Sequence, residues 1–152
     1  MSIATKAPIA LHALTVTFLL DEEDTNAAAT VFETRVPVGA FVPPPHSHVA
    51  FEETLYVLEG DFRFVIDGEI KELSAGDAAF IPKGAVHSFD NAGTIDAVML
   101  SVATPGLFGP AYFQELAELL SSNPDGPPDR DAFMGVMARH GLTPVLPAAP
   151  AQ

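Results

Sequence analysis

From Leu14 to Ala103 the chain is cut into short apolar runs by turn-forming residues, and no helical period interrupts the series. The runs are Leu14–Leu20, Ala29–Val36, Thr54–Leu58, Phe62–Ile66, Glu69–Leu73, Ala78–Ile81, Val86–Phe89 and Ile95–Ala103. In the first, Leu14, Val16, Phe18 and Leu20 alternate with Thr15, Thr17 and Leu19. That period of two belongs to a half-buried strand. Asp67-Gly68 is the strongest hairpin signal, and Glu59-Gly60-Asp61, Ala75-Gly76-Asp77, Lys83-Gly84 and Asn91-Ala92-Gly93 supply the other breaks. Many short strands at regular spacing, with no helix between them, define an all-β antiparallel sandwich or barrel.

The C-terminal third changes character. Tyr112, Phe113, Leu116, Leu119 and Leu120 fall at helical spacing behind Pro110, a residue suited to a first helical turn. Asp131 to His140 reads as a second short helix with Gly141 at its C-terminal cap. A single domain over 1–152 is expected, with a barrel over about 10–104, a helical extension over about 108–141 and an extended tail over 142–152.

Charge and composition exclude several roles. Twenty acidic against seven basic residues give a formal net charge of −13, which repels phosphate backbones and anionic membrane surfaces. Nucleic acid and membrane are therefore not expected as partners. With no cysteine, disulfides, thiolate ligands and cysteine nucleophiles are out. The apolar stretch from Ala7 to Leu20 behind Lys6 has the outline of a signal peptide. Its strand-like alternation, and the acids between Asp21 and Asp24, favour a strand and a cytoplasmic location instead.

The chemistry gathers in PPPHSHVAFEETLYVLEG, Pro43 to Gly60. A strand turns alternate side chains to one face, so His46 and His48 point the same way, and Glu53 follows at the start of the next strand. A third imidazole, His87, begins its own strand in PKGAVHSFDN. Buried imidazoles need partners. Three of them and a carboxylate suit Fe, Mn, Ni, Co, Cu or Zn, with coordination positions left open. A lone histidine in a β protein is more often a hydrogen-bonded structural residue, and His12 and His140 are read that way.

The two stretches around these residues resemble the two motifs of the cupin superfamily. GAFVPPPHSHVAFEETLYVLEG carries the glycine, the His-x-His pair, then four intervening residues, a glutamate, six more residues and a glycine, which selects Glu53 over Glu52. GDAAFIPKGAVHSFDN matches the second motif at Gly76, Pro82, Gly84, His87 and Asn91. The one departure is an extra residue between Gly39 and His46, within the proline run. The resemblance implies a double-stranded β-helix (jelly-roll) barrel that holds one divalent transition metal per chain through His46, His48, Glu53 and His87. It also implies a homodimer. Asn91 is expected to satisfy turn backbone groups, not the metal.

A small barrel has little interior beyond its ligand cavity. Phe41, Phe62, Phe64, Phe89 and Met99 are accordingly expected to line a site for a small hydrophobic or aromatic molecule, and Arg63 and Lys83 to point outward. The segment Thr104 to Leu120 resembles the tail of single-domain cupins similar to quercetin dioxygenases. That similarity implies a dioxygenase acting on an aromatic or enol-bearing molecule, with Glu53 as both ligand and catalytic base. A metal-dependent isomerase, cyclase or lyase without dioxygen, and a non-catalytic binding module, are the alternatives.

Overall fold

A computed structural model describes residues 6–145. Eleven strands and two helices occupy them: β1 (Ile9–Leu11), β2 (Leu14–Leu20), β3 (Thr30–Val36), β4 (His46–His48), β5 (Glu52–Glu59), β6 (Asp61–Ile66), β7 (Glu69–Ser74), β8 (Ala78–Ile81), β9 (His87–Asn91), β10 (Ala97–Thr104), α1 (Pro110–Ser121), α2 (Arg130–Arg139) and β11 (Leu142–Pro144). They form two antiparallel sheets. One has the order β1-β2-β3-β10-β5-β8 and the other β11-β4-β9-β6-β7.

The alternation in the sequence becomes the inside and outside of this jelly-roll barrel. On β5, Glu53, Leu55 and Val57 are buried while Thr54, Tyr56 and Leu58 face out. On β6, Phe62, Phe64 and Ile66 turn inward. Edge strand β7 keeps nearly all its side chains exposed and carries Lys71, Glu69 and Glu72, charges that discourage pairing with another edge. Arg63 is exposed and bonded to Glu72 at 2.9 Å, and Lys83 is exposed, so both cations lie outside the barrel.

The turn signals are used as turns. Asp67 and Gly68 both adopt positive φ (49° and 82°) between β6 and β7, the backbone of a two-residue hairpin loop. Gly60, at φ 71° between β5 and β6, is required for space as well, since a Cβ there would lie 2.8 Å from the carbonyl oxygen of Asp96 and 2.9 Å from the Cα of Ala97. Asn91 ties the end of β3 to the β9–β10 connection: its Nδ2 donates to the carbonyls of Val36 and Ile95, both at 2.8 Å, and its Oδ1 accepts from the Gly93 amide at 2.9 Å.

Three short strands lie outside the apolar runs, β1, β4 and β11, and of these only β4 is foreseen, through the shared face of His46 and His48. The segment expected as extended tail contributes β11, whose Leu142 and Pro144 pair with His48 and His46; residues 146–152 of that tail lie outside the described residues. His12, read as a structural histidine, sits in the turn between β1 and β2 at φ 54°.

The helices form a cap. α1 follows Gly109 directly, with Pro110 at its start, and buries Tyr112, Phe113, Leu116 and Leu120. Phe113 stacks obliquely on Phe18 and Phe32 of the six-stranded sheet, with ring centroids 5.8 and 5.6 Å away. Thr30 Oγ1 donates to the carbonyl of Phe108 at 2.8 Å and pins the approach to the helix. α2 is capped by Asp129, which accepts from the Ala132 amide at 2.9 Å, and is tied to α1 where Glu115 meets Arg139 and His140. No helix among the described residues is long and apolar enough to cross a membrane.

Candidate metal centre

Both sheets contribute to the site. His46 and His48 lie on β4, and His46 is paired across the ladder with His87 on β9. Glu53 comes from β5 of the opposite sheet, paired with Ala103 and Ile81. All four are buried, whereas neighbouring Glu52 is only half-buried. One ring nitrogen from each of His46, His48 and His87 lies within 4.8 Å of the other two. Glu53 Oε2 stands 3.2 Å from His48 Nε2 and 3.6 Å from His87 Nε2.

The tautomers decide what this cluster can do. His46 Nδ1 lies 2.9 Å from the carbonyl oxygen of Pro44, His48 Nδ1 2.8 Å from that of Phe51 and His87 Nδ1 3.0 Å from that of Ala85. A carbonyl only accepts, so each Nδ1 carries the proton and donates it. In the neutral ring the Nε2 lone pair is then bare. Bare Nε2 atoms and a carboxylate repel one another at 3.2 to 3.6 Å unless protons or a cation lie among them. Ligands bound at about 2.1 Å and at right angles stand roughly 3 Å apart, so these separations suit donors around a single ion. Carbonyls fixing the far nitrogen of each imidazole are also the usual support of histidine ligands. The residues present therefore fit a divalent transition ion, and the three histidines could hold it with Glu53 beside them.

The electrostatics agree. Burial, aided by the neighbouring His87, lowers the pKa of His46 from 6.5 to about 4, so this imidazole is neutral and able to ligate at neutral pH. Burial opposes ionisation of Glu53, but where protons sit on the Nε2 atoms of His48 and His87, their hydrogen bonds outweigh it and bring the carboxyl down to about 2; a bound cation would stand in for those protons. A neutral His46 and an ionised Glu53 are the forms in which these two groups bind metal.

A cavity of about 60 Å³ opens on this cluster. Phe64, Phe89 and Met99 line it. Phe62 does not. On β6, Ile66 is level with His87, Phe64 with Phe89 and Phe62 with Asn91, so Phe62 lies four residues, roughly 13 Å, along the strand from the cluster. It is core, fully buried against Phe64 and Phe89. Phe41 is 40% exposed and packs outside the barrel, edge-on to Phe133 of α2. The extended proline run after it carries it away from the interior.

Much of the remaining wall comes from the cap: Phe108, Tyr112 and Phe113. Phe51 couples cap to cluster. Its ring stacks on His48 at 3.9 Å and 9°, and on Phe108 at 5.0 Å and 14°, while its carbonyl holds His48 Nδ1. Neither Phe51 nor Tyr112 is legible as a site residue from strand alternation. The sequence signal for Phe51 is its position between the His-x-His pair and Glu53.

Comparison with known proteins agrees with this architecture. The cupin domain family matches residues 32–103. An uncharacterized protein of Aquifex aeolicus is 42% identical over 65 residues, 43% of this chain and 53% of that protein, so the chain spans about half the length of that relative. The oxalate-binding protein of Thermotoga maritima is 33% identical over 85 residues, covering 55% of this chain and 69% of that one. The crystal structure of the polyketide cyclase RemF from Streptomyces resistomycificus superposes with a TM-score of 0.58 at 30% identity, covering 68% of this chain and 79% of that one. The chain belongs to the cupin superfamily.

Proposed function

We propose that this cupin is a metal-dependent dioxygenase that cleaves a compact, uncharged enol-bearing or aromatic molecule, with His46, His48, His87 and Glu53 as the metal ligands. The observation that carries this reading is the three bare imidazole nitrogens and one carboxylate facing an apolar cavity. A bound transition ion supplies Lewis acidity for a substrate oxygen and, where redox-active, access to dioxygen.

The chain's own groups do the rest. The backbone carbonyls of Pro44, Phe51 and Ala85 hold the imidazoles in the ligating tautomer. The apolar wall, from Leu14 and Phe32 to Phe89 and Met99, excludes water and orients the substrate by shape. Glu53 Oε2 is the proton acceptor proposed for the enol, being ionised and at the cluster.

Size and charge narrow the substrate. A cavity of about 60 Å³ is well below the roughly 150 Å³ that admits benzene to an engineered apolar cavity. A flavonol-sized ligand therefore requires the α1 cap to move, and a compact molecule is favoured. The lining contains no Arg or Lys to neutralise a dianion such as oxalate.

A cyclase or isomerase that needs no dioxygen is the second reading, favoured by the likeness to RemF. Oxygen uptake on presenting small β-dicarbonyls, catechols and flavonols to the iron-, manganese-, nickel-, cobalt- or copper-loaded protein separates the two. Substrate-dependent consumption supports the dioxygenase. Product without oxygen consumption replaces it with the cyclase reading, and saturable binding without turnover leaves a binding barrel. We also propose a homodimer formed through the outer face of β5 and β8, where Tyr56, Leu58 and Phe80 are exposed. A monomer by sedimentation at micromolar concentration would refute it.

A further inference from the structure

Tyr112 is out of place as a core residue. It is 2% exposed, and its hydroxyl is one of two buried side-chain polar atoms among the described residues with no hydrogen-bond partner. The other, Glu22 Oε2, packs against Gly109 away from the cavity lining. The Tyr112 ring is fixed by Phe108 at 5.0 Å, Phe113 at 4.9 Å and His140 at 5.5 Å, so the side chain has little freedom to turn its hydroxyl elsewhere. It lines the same cavity as His46, His48, Glu53 and His87.

A phenol is amphipathic, and a buried one ordinarily finds a partner for its O–H. Burial, and after it the charge of Glu53, pushes this phenol above its usual pKa, so it remains a protonated donor. The rest of the lining is hydrocarbon apart from Thr34, Ser101 and the metal cluster.

We propose that the Tyr112 hydroxyl donates a hydrogen bond to an oxygen of the bound molecule, so that the cap helix selects a carbonyl- or enolate-bearing ligand over a hydrocarbon of the same shape. This rests on reading the cavity as the substrate site. It adds a substrate-positioning residue from outside both cupin motifs, and it makes α1 part of the recognition surface. A site built to hydrogen-bond an oxygen discriminates against an analogue that lacks it, because the donor is then left unpaired in a dry pocket.

The test uses acetone and 2-methylpropene, which differ only in carrying C=O or C=CH₂ and are small enough for the cavity as it stands. Affinities are measured by NMR titration on the zinc-loaded protein, wild type and Tyr112→Phe, together with the infrared carbonyl stretch of bound acetone. In the wild type acetone is expected to bind more tightly than 2-methylpropene. In Tyr112→Phe the acetone affinity should fall about 3- to 10-fold, 2-methylpropene should be unchanged, and the carbonyl stretch should move to higher frequency.

Thermal unfolding without ligand supplies a second readout. The hydroxyl has no protein partner, so Tyr112→Phe is expected to match or exceed the wild-type midpoint, whereas a structural hydroxyl would lower it. Equal acetone affinity and an unshifted carbonyl stretch in the variant overturn the role of Tyr112 and leave the cavity reading standing. If neither probe binds the wild type, the substrate-site reading and this inference fall together.

Discussion

Replacing Phe51 with alanine tests whether the cap and the metal cluster are one mechanical unit. The side chain is 2% exposed and stacked with both His48 and Phe108. Deleting a buried phenyl costs about 3–5 kcal/mol through lost transfer energy and the cavity left behind. Two stacked partners place this site in the upper half of that range. For a chain of this size each kcal/mol moves the midpoint by about 2–4 °C, so a loss near 4 kcal/mol lowers it by roughly 8–16 °C. Total stability of about 5–15 kcal/mol leaves most of the population folded at room temperature. The second consequence concerns metal. The Phe51 carbonyl is backbone and stays, but without the ring His48 can swing about its Nδ1 hydrogen bond, and zinc affinity should drop about 10- to 100-fold, as for other supports of metal ligands. Urea unfolding of the metal-free protein and competitive zinc titration measure the two effects separately. Phe51→Leu, which restores apolar volume without the stack, should regain most of the stability and little of the affinity. An alanine variant within 1 kcal/mol of wild type, or one destabilised as stated but with unchanged zinc affinity, would refute the coupling.

Other expectations follow from the same geometry. Gly60→Ala sets a Cβ 2.8 Å from the Asp96 carbonyl oxygen at φ 71°, and should cost at least about 1–3 kcal/mol in a urea melt; a neutral result would show that the β5–β6 turn is free to relax. The metal-free protein should lose stability on acidification. Folded His46 takes its proton only at about pH 4 and the unfolded chain takes it near 6.5, so the unfolded state gains protons first as pH falls through that window. The difference corresponds to about 3 kcal/mol, present in full above pH 6.5 and lost by pH 4. Glu53, lowered from 4.5 to about 2, adds a second loss of the same sign between those values. In thermal unfolding, a midpoint independent of pH from 7 to 4 contradicts the His46 loss, and one independent of pH from 4.5 to 2 contradicts the Glu53 loss.

Much of the barrel can be read from residues because alternation and turn chemistry are local. β2, β3 and β5 to β10 appear where period two and the glycine turns put them, and both helices lie where their apolar spacing indicates. β1 and β11 are not legible, since three residues carry no period and exist as strands only through their partners, β2 for β1 and β4 for β11; β4 is legible only through the His-x-His pair it carries. His46, His48 and His87 are placed together by the His-x-His spacing and by one cross-strand pair, information the two motifs contain. Phe62 and Phe41 show the limit of alternation. It tells which face a residue takes but not how far along the barrel axis it sits, nor whether a proline run has carried it outside. Tyr112 and Phe51 depend on how a helix and a connecting loop dock onto the barrel, and no local pattern reports that.

If the buried histidine cluster is a metal site, elemental analysis of untagged protein, purified and then reconstituted, should find close to one transition ion per chain in the wild type and its loss in a folded His48→Ala variant. A folded wild type that retains no ion after reconstitution, or a His48→Ala variant that keeps a full complement, would contradict that reading.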